Sequence, residues 1–322
     1  MLSLHTMKLF RPLILPALVW GSDAATIVDL FNTKGGTGLG ACSATQVPIV
    51  ESWLQDTVEL VDFALQGLSS YKTDRFIQRN LGAFFSIRTT KAGNVFAQDQ
   101  AKFATVEKTL QVVQDFLYQR NPQWTVEGDG TGKPWLFCNS DWQSETEDLF
   151  DEQGNPVLDP NDNTKQASLR TFPLTGNIAA DQLLKDMQQG TPPNWDSFAY
   201  YSTDLKDYVI EVAANRYPGN PPATPRSWCN GHLVTPDAEN RFALTESRLT
   251  RDAVTLCPDA FTTSSEPFET IDAAMADPAA ARLGTPLNDA SPRSLTLFHE
   301  LIHMTTGPDQ TPDSASMFSV CP

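Results

Sequence analysis

The chain has 322 residues, 40% of them hydrophobic, enough apolar material for one large domain or two small ones. Its formal net charge is −16, from 23 Lys and Arg against 39 Asp and Glu. That balance argues against nucleic acid and against an anionic membrane surface as partners, because both need a basic face. An acidic balance by itself signals only solubility.

Residues 1 to 24 read as a secretory signal. Lys8 and Arg11 form a basic start, LILPALVW from Leu13 to Trp20 is a short apolar core, and Ser22, Asp23 and Ala24 offer small residues before a cut after Ala24. The apolar run is too short to span a bilayer. Met7 also opens a compact signal, so the start is Met1 or Met7. The competing reading is a buried N-terminal strand. The expected mature chain, 25 to 322, is a single domain, secreted and monomeric, with no nucleic-acid partner and no membrane contact after signal removal. Its five Cys are Cys42, Cys138, Cys229, Cys257 and Cys321, with no C-x-x-C pair, so disulfides rather than a thiolate metal site are expected. Their pairing is open, and Cys321 is the expected odd one. No N-x-Ser/Thr sequon is present.

Helical spacing predicts three scaffold helices. The first runs from 46 to 69, with Ile49, Val50, Trp53, Leu54, Val58, Val61, Leu65 and Leu68 on one side. The second runs from about Asp74 to Phe85. The third runs from about 101 to 118, with Phe103, Val106, Leu110, Val113 and Leu117 aligned. Next, Trp124 to Glu127 and Trp135 to Cys138 flank GDGTGKP and predict a hairpin. From 139 to 165 the chain is acidic and turn-rich, carrying Glu145, Glu147, Asp148, Asp151, Glu152, Asp159 and Asp162. The ligand alternation of a calcium loop is missing, so a solvated loop insertion or small hairpin around Gln153 to Pro156 is expected. Residues 179 to 217, with Tyr200, Tyr201 and Tyr208, read as partly helical, and PGNPPATP (218 to 225) as an irregular connector. RDAVTLCPDAF (251 to 261) predicts a strand ending in a Pro turn. An Ala-rich helix is expected over 271 to 281.

The last element carries the chemistry. SLTLFHELIHMTTG contains His299, Glu300 and His303 in the pattern H-E-x-x-H, and two of the chain's four His fall here. On a helix, residues four apart share a face, so both imidazoles can approach one metal ion, and Glu300 can act as general base on a metal-bound water. A bare H-E-x-x-H also arises by chance. Here Leu295, Phe298 and Ile302 form one apolar stripe and Leu297 and Leu301 another, so the helix is buried. Burying two His and a Glu without partners is costly, and a metal relieves that cost. Ser291 is the expected N-cap with Pro292 at the first helical position, and Gly307 and Pro308 the stop. Two ligands leave a third to find. Asp309 lies six residues after His303 and Asp313 ten, and either completes a three-ligand zinc site. Overall the pattern predicts an α+β fold, mainly helical, with a small sheet beside the motif helix.

This tail resembles the fungal aspzincins, the deuterolysin and lysine-specific metalloendopeptidase group. Members carry H-E-x-x-H followed by G-T-x-D-x-x-Y-G, whose Asp is the third zinc ligand. His299, Glu300 and His303 match the first motif. Thr311, Pro312 and Asp313 look like the T-x-D of the second, with Gln310 in place of its Gly. The stretch Val254 to Phe261 is similar to the Cys-Pro strand that such proteins carry upstream. The resemblance implies a zincin-like fold and secreted, Zn2+-dependent endopeptidase activity on proteins or peptides. It also implies Glu300 as base, with His299, His303 and Asp313 (rival Asp309) as ligands. The sequence departs from the pattern at Ser316, where the family has a Tyr, and no Tyr follows the motif helix. An inactive relative that binds zinc or a partner is therefore the alternative expectation.

Overall fold

The computed structural model describes residues 25–120, 132–174, 184–185, 197–212, 229, 243–246, 252–262, 267–278 and 290–307. The expected signal, the strand expected at 124 to 127, the connector at 218 to 225 and both Asp309 and Asp313 lie outside them.

The fold is mixed α and β, as the patterning predicts. Three long helices come first: α2 (Gln46–Ser70), α3 (Arg75–Phe85) and α4 (Gln100–Leu117), after a single turn, α1 (Ile27–Leu30), and a short strand, β1 (Asn32–Thr33). Pro48 is tolerated in α2 because it sits in the first turn, where its missing N–H has no intrahelical partner. Asp74 starts α3 by accepting the N–H groups of Phe76 and Ile77, and Ser86 ends it in the left-handed region at φ 53°. The expected apolar face of α4 serves two clusters. Val113 and Leu117, with Phe116, join the main core, while Phe103, Val106 and Leu110 pack on a smaller cluster around Leu68, Leu81, Ile87 and Val95.

Four strands form the central sheet, in the order β1, β2 (Trp135–Phe137), β9 (Ala253–Leu256), β8 (Ala243–Glu246). The first three run parallel, and β8 closes the edge antiparallel to β9. Side chains alternate across it. Leu136, Val254 and Leu256 meet Val50, Trp53, Leu54 and Val61 of α2, Val113 and Phe116 of α4, and the last helix. Phe137 and Ala253 face the other way, against Trp142, Tyr200, Leu205 and Val209. Burying one such aliphatic side chain is worth about 1.5–3 kcal/mol, so this two-sided packing holds the sheet in place.

Two disulfides brace the ends of the inner strands: Cys42–Cys138 just past β2 and Cys229–Cys257 just past β9. Cys321 lies outside the described residues.

Several expectations change. Trp135 and Leu136 of β2 pair with β1 on one side and β9 on the other, so β2 is an inner strand and not half of a hairpin with residues 124 to 127. Residues 197–212, expected within a partly helical stretch, are the hairpin β6 (Ser197–Ser202) and β7 (Asp207–Val212). Its turn returns through Lys206 at φ 54°, and Tyr201 pairs with Tyr208 across it. With the aromatics hydrogen-bonded in register, alternation prevails over helical spacing. Phe150 stacks on Tyr201 with ring centroids 4.2 Å apart, and β3 (Ser144–Glu145) adds a third strand. The acidic stretch includes the expected small turn. Asp151 accepts the N–H groups of Gln153 and Asn155 around Gly154 at φ 84°, and a second hairpin follows, β4 (Leu158–Asp159) with β5 (Asp162–Gln166). The Ala-rich helix is shorter than expected, α5 (Ile271–Ala276), and the motif helix is α6 (Ser294–Thr306).

Candidate metal centre

Helix α6 lies between α2 and α4 on one side and β8 and β9 on the other. Leu297 and Leu301 are fully buried, Met304 nearly so, and Leu295, Phe298 and Ile302 half-buried. The apolar stripes read from the sequence therefore seat the helix. Its start is not the one expected. Ser291 caps nothing, Pro292 pairs with Phe268, and Arg293 is the N-cap without a side-chain cap bond. The carbonyls of Phe268 and Glu269 accept the N–H groups of Arg293 and Ser294, which replaces the missing cap. Gly307 ends the helix as expected: at φ 85° it donates its N–H to the His303 carbonyl, while Pro308 lies outside the described residues.

The motif residues come out at the margin of this packing. His299 is exposed, whereas His303 is 9% and Glu300 5% exposed. The two Nε2 atoms stand 2.9 Å apart, with the rings edge-on at 83°. The site thus opens on one side and is walled on the other. In a tetrahedral site two nitrogen ligands at about 2.0–2.1 Å from the ion lie roughly 3.3 Å from each other. The imidazole pair needs only a few tenths of an ångström of opening to meet that demand, so the spacing of these two nitrogens is compatible with shared ligation of one ion. The two nitrogens are within hydrogen-bond distance of each other.

Glu300 has a partner that sequence reasoning missed. Thr245 Oγ1, on β8, lies 2.8 Å from Glu300 Oε2 and 2.9 Å from the Glu300 carbonyl oxygen. The signal was faint: a Thr in the short run ALTE, 55 residues before the carboxylate it meets.

Strand β9 is an inner strand, because β2 and β8 take both its sides. Among the described residues the outer edge next to α6 belongs to β8. Among those residues, too, no group of three or more His, Cys, Asp or Glu is placed to hold a metal. Asp309 and Asp313 both follow Gly307, beyond the described part of the chain. Comparison with protein-family models, with curated proteins and with solved structures finds no match for this chain.

Proposed function

We propose that the protein is a secreted zinc-dependent endopeptidase with a zincin-like arrangement of motif helix and mixed sheet. The observation that carries this reading is the convergence of His299 and His303 Nε2, 2.9 Å apart, with the buried carboxylate of Glu300 between them in sequence. His299, His303 and Asp313, or its rival Asp309, hold the ion. Zinc bound there polarises a scissile carbonyl and brings the pKa of water toward neutrality. Glu300 accepts the proton of the attacking water on its carboxylate and passes it to the leaving amine. The outer edge of β8 offers main-chain groups to an extended peptide, which positions a substrate without demanding a sequence. Disulfide bracing fits an oxidising, extracellular setting.

A second reading has its own support. Ser316 stands where the resembled family has a Tyr. On that reading the site binds zinc without turnover. Purified protein settles the choice. Stoichiometric zinc with chelator-sensitive casein hydrolysis is expected; zinc without hydrolysis would leave the inactive relative, and no zinc would remove both.

A further inference from the structure

We propose that Thr245 is the positioning residue for Glu300, an inference that rests on the peptidase reading above. Thr245 sits on β8 opposite Val254 of β9, and residues paired across strands project to the same face. That face is the apolar one. Ala243, Val254, Leu256, Leu297 and Leu301 all belong to the cluster it meets. A β-branched apolar residue would suit position 245, since Val has the shape of Thr without the hydroxyl. The hydroxyl is explained by what it touches: the carboxylate oxygen Oε2 at 2.8 Å and the main-chain carbonyl of the same Glu300 at 2.9 Å.

One oxygen thus lies against both the carboxylate and the main-chain carbonyl of a single residue. A glutamate has three rotatable bonds, and a carboxylate that must meet a water on an adjacent imidazole-held site gains from being held in one of its rotamers. Glu300 is 5% exposed, so a hydrogen bond donated to it also offsets the cost of burying its charge. Among the described residues β8 is the edge strand, so the strand proposed to offer its outer edge to a peptide also touches the base from within. Substrate register and base position are then set by one element.

The test compares Thr245→Val and Thr245→Ser with the unaltered protein, all loaded with zinc. For Thr245→Val, kcat is expected to fall about tenfold to a hundredfold, with KM and zinc stoichiometry unchanged. Thr245→Ser, which keeps the hydroxyl, restores most of the lost kcat. A purely structural staple between strand and helix would instead lower thermal stability or zinc content without this split. Crystal structures provide a readout independent of activity: Glu300 is expected to leave its present rotamer in Thr245→Val and to keep it in Thr245→Ser. Undiminished kcat in Thr245→Val, or a Glu300 carboxylate unmoved in that variant, overturns the proposal. If the unaltered protein cleaves no casein, the peptidase reading fails by itself, and the rotamer comparison still decides whether Thr245 positions Glu300.

Discussion

Asp56 Oδ2, on α2, accepts the backbone N–H of Ile271 at 2.8 Å and so joins two residues 215 apart in sequence. Ile271 is the first residue of α5, whose leading N–H groups have no partner within the helix. A carboxylate 8% exposed therefore acts as a cap supplied from another helix. Asp56→Ala is expected to cost about 1–2 kcal/mol in urea unfolding, because it removes the acceptor and leaves a partly buried donor unpaired. Asp56→Asn keeps an acceptor and should cost less. Equal losses in the two variants would show that the charge, not the cap, matters.

The imidazole pair makes a sharper demand. His299→Ala and His303→Ala should each lose most of the zinc, since two protein ligands hold a catalytic zinc poorly. Glu300→Gln should keep the metal and lose hydrolysis, because the base is gone and the ligands remain. Elemental analysis beside a casein assay reads both. Undiminished zinc in either His variant contradicts the assignment.

The third ligand separates two spacings. Asp313→Ala is expected to release zinc and Asp309→Ala to retain it. The T-x-D match and the longer return path favour Asp313. The reverse outcome would transfer the role to Asp309, directly after the Gly307 stop.

Alkaline pH should weaken the junction of α2 and α4. Burial first, and then the Asp62 carboxylate that accepts its hydroxyl at 2.6 Å, push Tyr118 up to about 12. The folded value lies above the ordinary value of about 10. The stabilisation is therefore complete below about pH 10 and is lost as pH rises toward about 12. Urea unfolding of the unaltered protein should show that loss as pH climbs above about 10, and Tyr118→Phe should flatten it. An unchanged pH slope in Tyr118→Phe would assign the loss to other groups.

The two disulfides should differ in weight. Cys42 and Cys138 are 96 apart in sequence and Cys229 and Cys257 are 28 apart. By loop-closure entropy the first is worth about 4.7 kcal/mol and the second about 3.6 kcal/mol. Replacing Cys42 and Cys138 with Ser is thus expected to lower the denaturation midpoint more than replacing Cys229 and Cys257. The opposite order would point to unfolded-state structure or native strain as the larger influence.

The long helices of this protein and its motif were legible from sequence alone. α2, α3, α4 and α6 each repeat apolar residues at helical spacing over several turns, and H-E-x-x-H brings its two imidazoles together through the geometry of a single helix. Local periodicity is enough for such features because every partner lies within a few residues. The rest depended on neighbours far along the chain. β1 is two residues long and exists because β2 lies beside it. The tyrosines of β6 and β7 fit a helix or a strand until cross-strand pairing chooses. Which Cys joins which, whether β8 or β9 is the edge, and that Thr245 meets Glu300 are facts of tertiary packing. Strand pairing, disulfides and buried hydrogen bonds join residues whose separation in sequence leaves no local pattern, so only the folded chain decides them.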